Sequence, residues 1–301
     1  MRTAFYWVLC GMQFLLLATP SLVVGGDARK QTKPSCLEAL WPALLGYSGP
    51  TLSSFSRWPQ KIRQLFEQND YQGTIWALRE SGFEQEAAKL SKWYSEILKS
   101  KQVKKIDHFP KYDHVWLVDL GDGNRGVFKV DRSMHGYRHE VAAYILDQLL
   151  GLNLVPITVE RTTVQGSGSL QPFFDERTVV PGVLWQEPVS KDAMVLFDVL
   201  IGNRDRHSQN YFVRRADAKV IGIDHALAFG ANGPRGRYID TEESRAILKY
   251  LSKNSDVLKS LKKLNFLRLK RALGSYLEDW RIRALLARRD EILDAYKEGA
   301  E

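Results

Sequence analysis

From Pro59 to about Lys105, apolar side chains recur at helical spacing. Ile62, Leu65 and Phe66 share one face, followed by Ile75, Trp76 and Leu78, then Ala87, Leu90, Trp93, Tyr94 and Ile97. This pattern predicts a small helical prefix. It changes between His114 and Val130, where the β-rich runs Val115–Val118 and Val127–Val130 flank Gly121-Asp122-Gly123-Asn124-Arg125-Gly126, the signature of a hairpin. A helix is predicted over 136–150, with Val141, Ala142, Ile145, Leu146 and Leu149 inward and Gly151 as its stop. Strands are expected near 155–163 and 169–174, a helix over 191–201, and two short strands at 211–214 and 220–223. From Thr241 onward the pattern is helical. Strands first and helices later give an α+β protein with a sheet-rich lobe followed by a helix-rich one.

Ahead of these elements, Arg2 precedes an uncharged stretch from Thr3 to Gly26 that holds Phe14-Leu15-Leu16-Leu17 and Leu22-Val23-Val24. A basic start, an apolar run and small residues near its end describe a signal peptide. The length also approaches that of a membrane anchor, and a buried helix is the third reading. Residues 27–58, rich in Lys, Pro, Ser and Gly, read as a linker. The expected organisation is thus a leader over 1–26, a linker over 27–58 and a helical prefix over 59–106. A larger domain over 107–301 follows, its sheet-rich small lobe ending near 174 and its large lobe running from about 175 to 301.

Composition narrows the classes. The 301 residues are 44% hydrophobic and 26% charged, as in a globular protein. Cys10 and Cys36 are the only cysteines, which excludes a disulfide scaffold and a cysteine-based zinc site. The formal charge is +8, with an excess of cations at Lys259, Lys262, Lys263, Arg268, Lys270 and Arg271. That excess is either a solvated helical face or a surface for an acidic partner. Without an aromatic-basic platform it does not point to nucleic acid.

The strongest chemical signal is Gly202-Asn203-Arg204-Asp205-Arg206-His207-Ser208-Gln209-Asn210, followed by Gly222-Ile223-Asp224-His225-Ala226. Phosphoryl transfer needs a carboxylate to orient or deprotonate the attacking hydroxyl. It also needs an amide oxygen and a second carboxylate to hold metal against the phosphates. Asp205 and Asn210 have the spacing of a kinase catalytic loop, and Asp224 ends the next predicted hairpin, where a metal-binding aspartate belongs. Upstream, Lys129 ends the second strand of the glycine-containing hairpin and Glu140 lies in the following helix. A lysine so placed can reach the α/β-phosphates of ATP, and the glutamate pairs with it or joins the metal shell. The turn with Gly121, Gly123 and Gly126 is a further candidate for phosphate contact, although glycine is common at hairpin tips. His135 and His139 lack a third ligand for zinc, and Gly166-Ser167-Gly168-Ser169 lacks the spacing of a nucleophile elbow. Trp185 and Gln186-Glu187-Pro188 are read as packing residues or as cleft lining.

Tyr137 to Pro156 resembles the helix-to-strand segment shared by the phosphatidylinositol 3/4-kinases, especially the type II 4-kinases, and the Four-jointed-like secretory-pathway kinases. Phe197 to His207 is similar to the catalytic-loop entry of the secretory kinases. Ile223 to Phe229 is closer to the lipid-kinase metal motif, and Gly168 to Phe174 resembles the strand before that group's hinge. The resemblance covers roughly 114–230. It implies a two-lobed protein-kinase-like fold, catalytic Asp205, metal-binding Asn210 and Asp224 for Mg²⁺ or Mn²⁺, and ATP-contacting Lys129 with Glu140. The secretory kinases are usually disulfide-rich, which this chain is not, and the prefix and last helices match neither group. The expected function is an ATP-dependent kinase acting on a hydroxyl of a protein or other acceptor in an exported or lumenal compartment. A phosphoinositide-type lipid kinase and an inactive kinase-like binding protein are the alternatives.

Overall fold

The computed structural model describes residues 53–109, 112–130, 136–182, 191–215, 217–230 and 241–298. The predicted leader, most of the predicted linker, His135 and the Trp185–Pro188 segment lie outside the described residues. The chain divides into two compact units, Met1–Arg63 and Gln64–Glu301. In the first, helix α1 (Ser53–Arg57) leads to Trp58, whose ring centroid is 5.1 Å from that of Phe55. The boundary between the units falls within α2 (Gln60–Glu67).

The second unit opens with two amphipathic helices, α3 (Tyr71–Glu80) and α4 (Glu84–Ser100). Asp70 caps α3 by accepting from the Gly73 N–H at 2.8 Å, which satisfies one of the donors that a helix start leaves free. A five-stranded antiparallel sheet follows, of β1 (Lys105–His108), β2 (Val115–Gly121), β3 (Asn124–Val130), β4 (Val159–Thr163) and β5 (Gly166–Pro172), in the order β1-β2-β3-β5-β4. Helix α5 (Gly136–Leu150) connects β3 to β4. A three-stranded sheet holds β6 (Val179–Pro181), β7 (Tyr211–Arg214) and β8 (Val220–Gly222), with α6 (Asp192–Ile201) between β6 and β7. The rest is helical: α7 (Thr241–Lys253), α8 (Ser255–Lys263), α9 (Phe266–Leu273) and α10 (Asp279–Glu298). Strand β1 occupies the end of the segment read as helical. The strand expected from residue 155 begins only at Val159, because Val155 and Ile157 are buried in irregular chain.

One continuous core joins α5 to the helical lobe. It holds Leu146 and Leu150 of α5, Phe197, Leu200 and Ile201 of α6, Leu261, Leu269 and Leu273 of α8 and α9, and Ile282, Leu285 and Ile292 of α10. A smaller cluster packs Trp76 of α3 with Val179 and Ile221, and the Trp76 ring stacks on Phe174 at 6.0 Å. The prefix is further tied down where α5 turns into β4. Arg79 donates to Gln148 Oε1 and Asn153 Oδ1, both at 2.6 Å, and Gln72 Oε1 accepts from the Ile157 N–H at 2.8 Å.

The same turn contains a fully buried carboxyl, Asp147, whose Oδ1 accepts from the Leu154 N–H at 2.9 Å. Burial pushes this carboxyl up to about 7, against the lowering effect of the Leu154 and Val155 N–H groups and Arg79. A carboxyl raised in the folded state stabilises the fold fully below its unfolded value of 3.8, and that contribution is lost as pH rises through about 7. Relative to Asp147→Asn, which has no charge to bury, the wild type is expected to lose thermal stability as pH rises from about 4 to about 7. Parallel melting profiles for the two proteins would show that Asp147 is ionised throughout.

Candidate active site

The catalytic-loop candidate is built on the end of α6. Gly202 terminates this helix in the left-handed region (φ 65°), a conformation that glycine adopts without steric cost. A side chain there would also meet Arg288, which lies 3.0 Å from the position of a Cβ. The chain then folds around Asp198, an acid within the otherwise apolar run Met194–Ile201 of α6. Asp198 Oδ1 accepts from Asn203 Nδ2 at 2.9 Å, and both of its oxygens receive the Arg206 guanidinium, at 2.9 and 3.0 Å. Arg206 also donates to the carbonyls of Asn210 and Ile223, the latter at 2.6 Å. One guanidinium therefore joins the helix, the loop and the residue preceding Asp224.

Held in this way, Asp205 and Asn210 face each other. Asn210 Nδ2 donates to the Asp205 carbonyl at 2.8 Å and to Asp205 Oδ2 at 3.3 Å, which leaves the amide oxygen of Asn210 as an acceptor. The Asp205 side chain is about half exposed (45%) while Asn210 is buried. His207 stands beside Asp205, with Nε2 4.0 Å from Oδ1.

Lys129 reaches across from the five-stranded sheet. Its Nζ lies 2.7 Å from Glu140 Oε1 and 2.9 Å from Asp224 Oδ1. Burial would lower the Lys129 ammonium, but Asp224 and Glu140 outweigh it and hold the pKa above the ordinary lysine value. Burial would likewise raise the fully buried Glu140 carboxyl. The Lys129 charge and the hydrogen bonds from His225 and Lys129 prevail and hold it well below the usual carboxylate range. The second oxygen of Glu140 accepts from the His225 N–H at 3.0 Å. The His225 ring is fully buried, its Nδ1 3.4 Å from Glu140 Oε2, and burial lowers its pKa, so it is neutral near pH 7. Asp224 adopts φ 60°, strained for a residue with a side chain, and such strain persists only where the surroundings enforce it. The segment beyond is pinned by His139 Nδ1 against the Ala226 carbonyl at 2.8 Å, and by Arg281 of α10 on the Phe229 carbonyl at 2.6 Å.

Lys129, Glu140, Asp224, Asp205 and Asn210 thus form one linked arrangement, because Arg206 ties the Asp205–Asn210 loop to Ile223, the neighbour of Asp224. The glycine turn is not part of it. Lys129 pairs with Val115 and Ser169 at one end of its strand, while Gly121 pairs with Asn124 at the other. Five residue steps of extended chain run from Asn124 to Lys129, about 17 Å. The tip faces the prefix instead: Lys101 Nζ contacts Asp122 Oδ2 at 2.7 Å, and a Cβ on Gly121 or Gly123 would meet Lys104 or Asn69. Gly126, three residues from Lys129, lies on the opposite face of the strand. A side chain there would strike Leu170 and the Gln171 carbonyl. Gly121, Gly123 and Gly126, expected as a further phosphate contact, thus stand apart from the Lys129 cluster, where turn geometry and strand packing account for them. The described part of the β1–β2 connection stands at the Lys129 end, where the His114 carbonyl accepts from the Val130 N–H at 2.9 Å.

Fit to a nucleotide and a metal ion can be tested on the polar atoms present. Ser169, directly across from Lys129 and hence on the same face of the sheet, has a buried hydroxyl with no hydrogen-bond partner. An unsatisfied hydroxyl beside a cationic amine suits a polar ligand. Among the described residues no three His, Cys, Asp or Glu side chains form a metal cluster. Asn210 and Asp224 would supply only two hard oxygens, which matches an ion held mainly by phosphates and water.

The segment 189–268 matches the family model for phosphatidylinositol 3- and 4-kinase. Hydra Fam20, solved with sugar, shares 17% identity over 69% of this chain and 88% of its own, with a TM-score of 0.52. The fold is protein-kinase-like. At this identity the likeness speaks for architecture alone, with the five-stranded sheet as the small lobe and the helices as the large one. The Golgi casein kinase (17% identity, TM-score 0.46, 70% of this chain and 75% of that one) also aligns. So does the Helicobacter pylori proinflammatory kinase CtkA (14%, 0.43, 67% and 97%). No curated protein matches the chain. The family-model match over 189–268, the segment that holds Asp205, Asn210 and Asp224, supports a phosphotransferase.

Asp198, Arg206 and His225 were not singled out as site residues from sequence. An acid within the apolar run Met194–Ile201 was the available signal for Asp198. Removing one member of a largely buried ion pair leaves the other charge uncompensated, which costs about 3–5 kcal/mol. Arg206→Ala is expected to lower stability to urea by an amount in that range, roughly 3 kcal/mol. A loss below about 1 kcal/mol, the size of a surface pair, would show that Asp198 does not depend on it.

Proposed function

We propose that the protein is an ATP-dependent kinase that transfers phosphate to a hydroxyl of a protein or other acceptor. The observation that carries this reading is the Lys129 ammonium shared between Glu140 of the small lobe and Asp224 of the large one. Such a cation, set between two carboxylates at a cleft, can release Asp224 to a metal and turn to the phosphates while Glu140 keeps its aim. Asp205, half exposed and braced by Asn210, receives the acceptor hydroxyl and takes up its proton as the oxygen attacks. Asn210 and Asp224 would hold Mg²⁺ or Mn²⁺, which when bound neutralises charge on the phosphates. A phosphoinositide-type lipid acceptor is the second reading, favoured by the family model matched over 189–268.

The deciding experiment is transfer of labelled phosphate from ATP to mixed protein, lipid and glycan acceptors by the full chain. Asp205→Ala should melt like the wild type and lose about 10²–10⁴-fold in transfer. Asp224→Ala should remove the metal-dependent part of ATP stabilisation in a thermal-shift titration. Undiminished transfer by Asp205→Ala would sink the assignment. Wild-type ATP stabilisation equal with and without Mg²⁺ or Mn²⁺ would sink the metal role.

The proposed site of action rests on the apolar stretch at residues 3–26, read as an export signal or anchor. The proposed compartment is a secretory-pathway lumen or another place outside the cytosol that is supplied with ATP. Among the described residues no helix is long and apolar enough to cross a membrane. Deleting residues 1–26 is expected to move the protein to the cytosol and leave its specific activity unchanged in vitro. A cytosolic full-length chain would overturn the export reading.

A further inference from the structure

Between Val257 and Leu277 the chain carries Lys259, Lys262, Lys263, Arg268, Lys270 and Arg271, and no Asp or Glu. The packing of α8 and α9 sorts these cations outward. Val257, Leu261 and Leu264 are buried around α8, which turns Lys259, Lys262 and Lys263 to solvent at helical spacing. On α9, Leu269 and Leu273 are buried, so Lys270 and Arg271 emerge on the face that also bears Leu267. Lys259 is paired with Asp256 at 2.9 Å and Lys270 with Asp279 at 2.5 Å. Among the described residues Lys262, Lys263 and Arg271 form no ion pair.

Two apolar side chains stand out in this field. Leu267 is 77% exposed and Trp280 is 43% exposed. Trp280 follows Asp279, the partner of Lys270, and lies beneath the Arg281 guanidinium at 4.3 Å. The core has room for Leu269 and Leu273 of the same helix, so nothing in the fold calls for a leucine at the outward position 267. Clustered cations alone attract any polyanion. An exposed leucine beside Lys270 and Arg271, and an exposed indole next to the partner of Lys270, gain nothing from a fully hydrated polyanion. They do gain from a surface whose charge overlies hydrocarbon.

We propose that the outward sides of α8 and α9, together with Trp280 at the start of α10, form a peripheral docking surface for anionic lipid bilayers, seating Leu267 and Trp280 at the headgroup level with Lys262, Lys263 and Arg271 against the lipid charge. It uses none of the residues of the Lys129–Asp224 cleft and rests on neither the kinase reading nor the proposed compartment. It is also distinct from the apolar stretch at 3–26, whose attraction to a bilayer does not depend on lipid charge.

The test uses the full chain and vesicles of phosphatidylcholine with or without phosphatidylserine, read by sedimentation and by amide hydrogen exchange of peptides from 257–277. Exchange there is expected to slow with phosphatidylserine vesicles and not with phosphatidylcholine alone, a readout that binding through residues 3–26 does not move. The triple variant Lys262→Glu, Lys263→Glu, Arg271→Glu should melt like the wild type, lose the protection, and lose about 100-fold or more of the phosphatidylserine-dependent partitioning. Leu267→Ser should weaken that partitioning several-fold and leave heparin binding untouched. Protection that is absent in the wild type, or that persists in the triple variant, overturns the proposal. So does heparin binding as tight as vesicle binding with no effect of Leu267→Ser, which would make the face a site for soluble polyanions.

Discussion

A carboxylate with no exposure to water can stay ionised only if the fold brings it partners, and Glu140 imposes that requirement on three parts of the chain. One oxygen takes the Lys129 ammonium from β3 and the other takes the His225 N–H from the segment after β8. An isolated buried charge costs several kcal/mol or more, so α5, β3 and the Asp224–His225 segment must settle together. Lys129 extends the constraint to Asp224. The two lobes are therefore joined at the cleft by charge as well as by the apolar core that α5 shares with the helices.

Arg206 performs the corresponding task within the large lobe. Its guanidinium makes four hydrogen bonds, two to the Asp198 carboxylate and two to backbone carbonyls, so the loop bearing Asp205 and the strand end bearing Asp224 cannot shift independently. A guanidinium suits this place because its planar fork serves several acceptors at once, which a lysine ammonium does not do with fixed geometry. The strained φ of Asp224 fits the same picture: the carboxylate is aimed by its neighbours against local backbone preference.

Much of the fold was legible in the chain because periodicity and stop signals agreed. Gly151 ends α5 where the apolar spacing ends, and β7 and β8 bracket a polar turn as their alternation requires. Other features were hidden because they depend on register. Glycines at a hairpin tip look alike whether the tip lies over a cleft or against a helix. Only the pairing of Lys129 with Val115 and Ser169 shows that Gly121 and Gly123 stand at the far end. The spacing of Asp205 and Asn210 suggested a loop with shared chemistry, but not that Asp198, on the helix before it, would hold the loop through Arg206. Strand β1 was missed because its four residues, Lys105–His108, are mostly exposed and carry no apolar alternation.

Helix α10 has a bearing on how the molecule is assembled during synthesis. Arg288 donates to the Leu200 carbonyl at the end of α6, and Arg281 to the Phe229 carbonyl beyond Asp224. Both acceptors are made long before either donor. Until the residues up to Arg288 have left the ribosome, the last turn of α6 keeps a carbonyl without its partner and Gly202 lacks the side chain packed against it. The small lobe can pair its strands early, whereas the loop that carries Asp205 waits for one of the last elements of the chain.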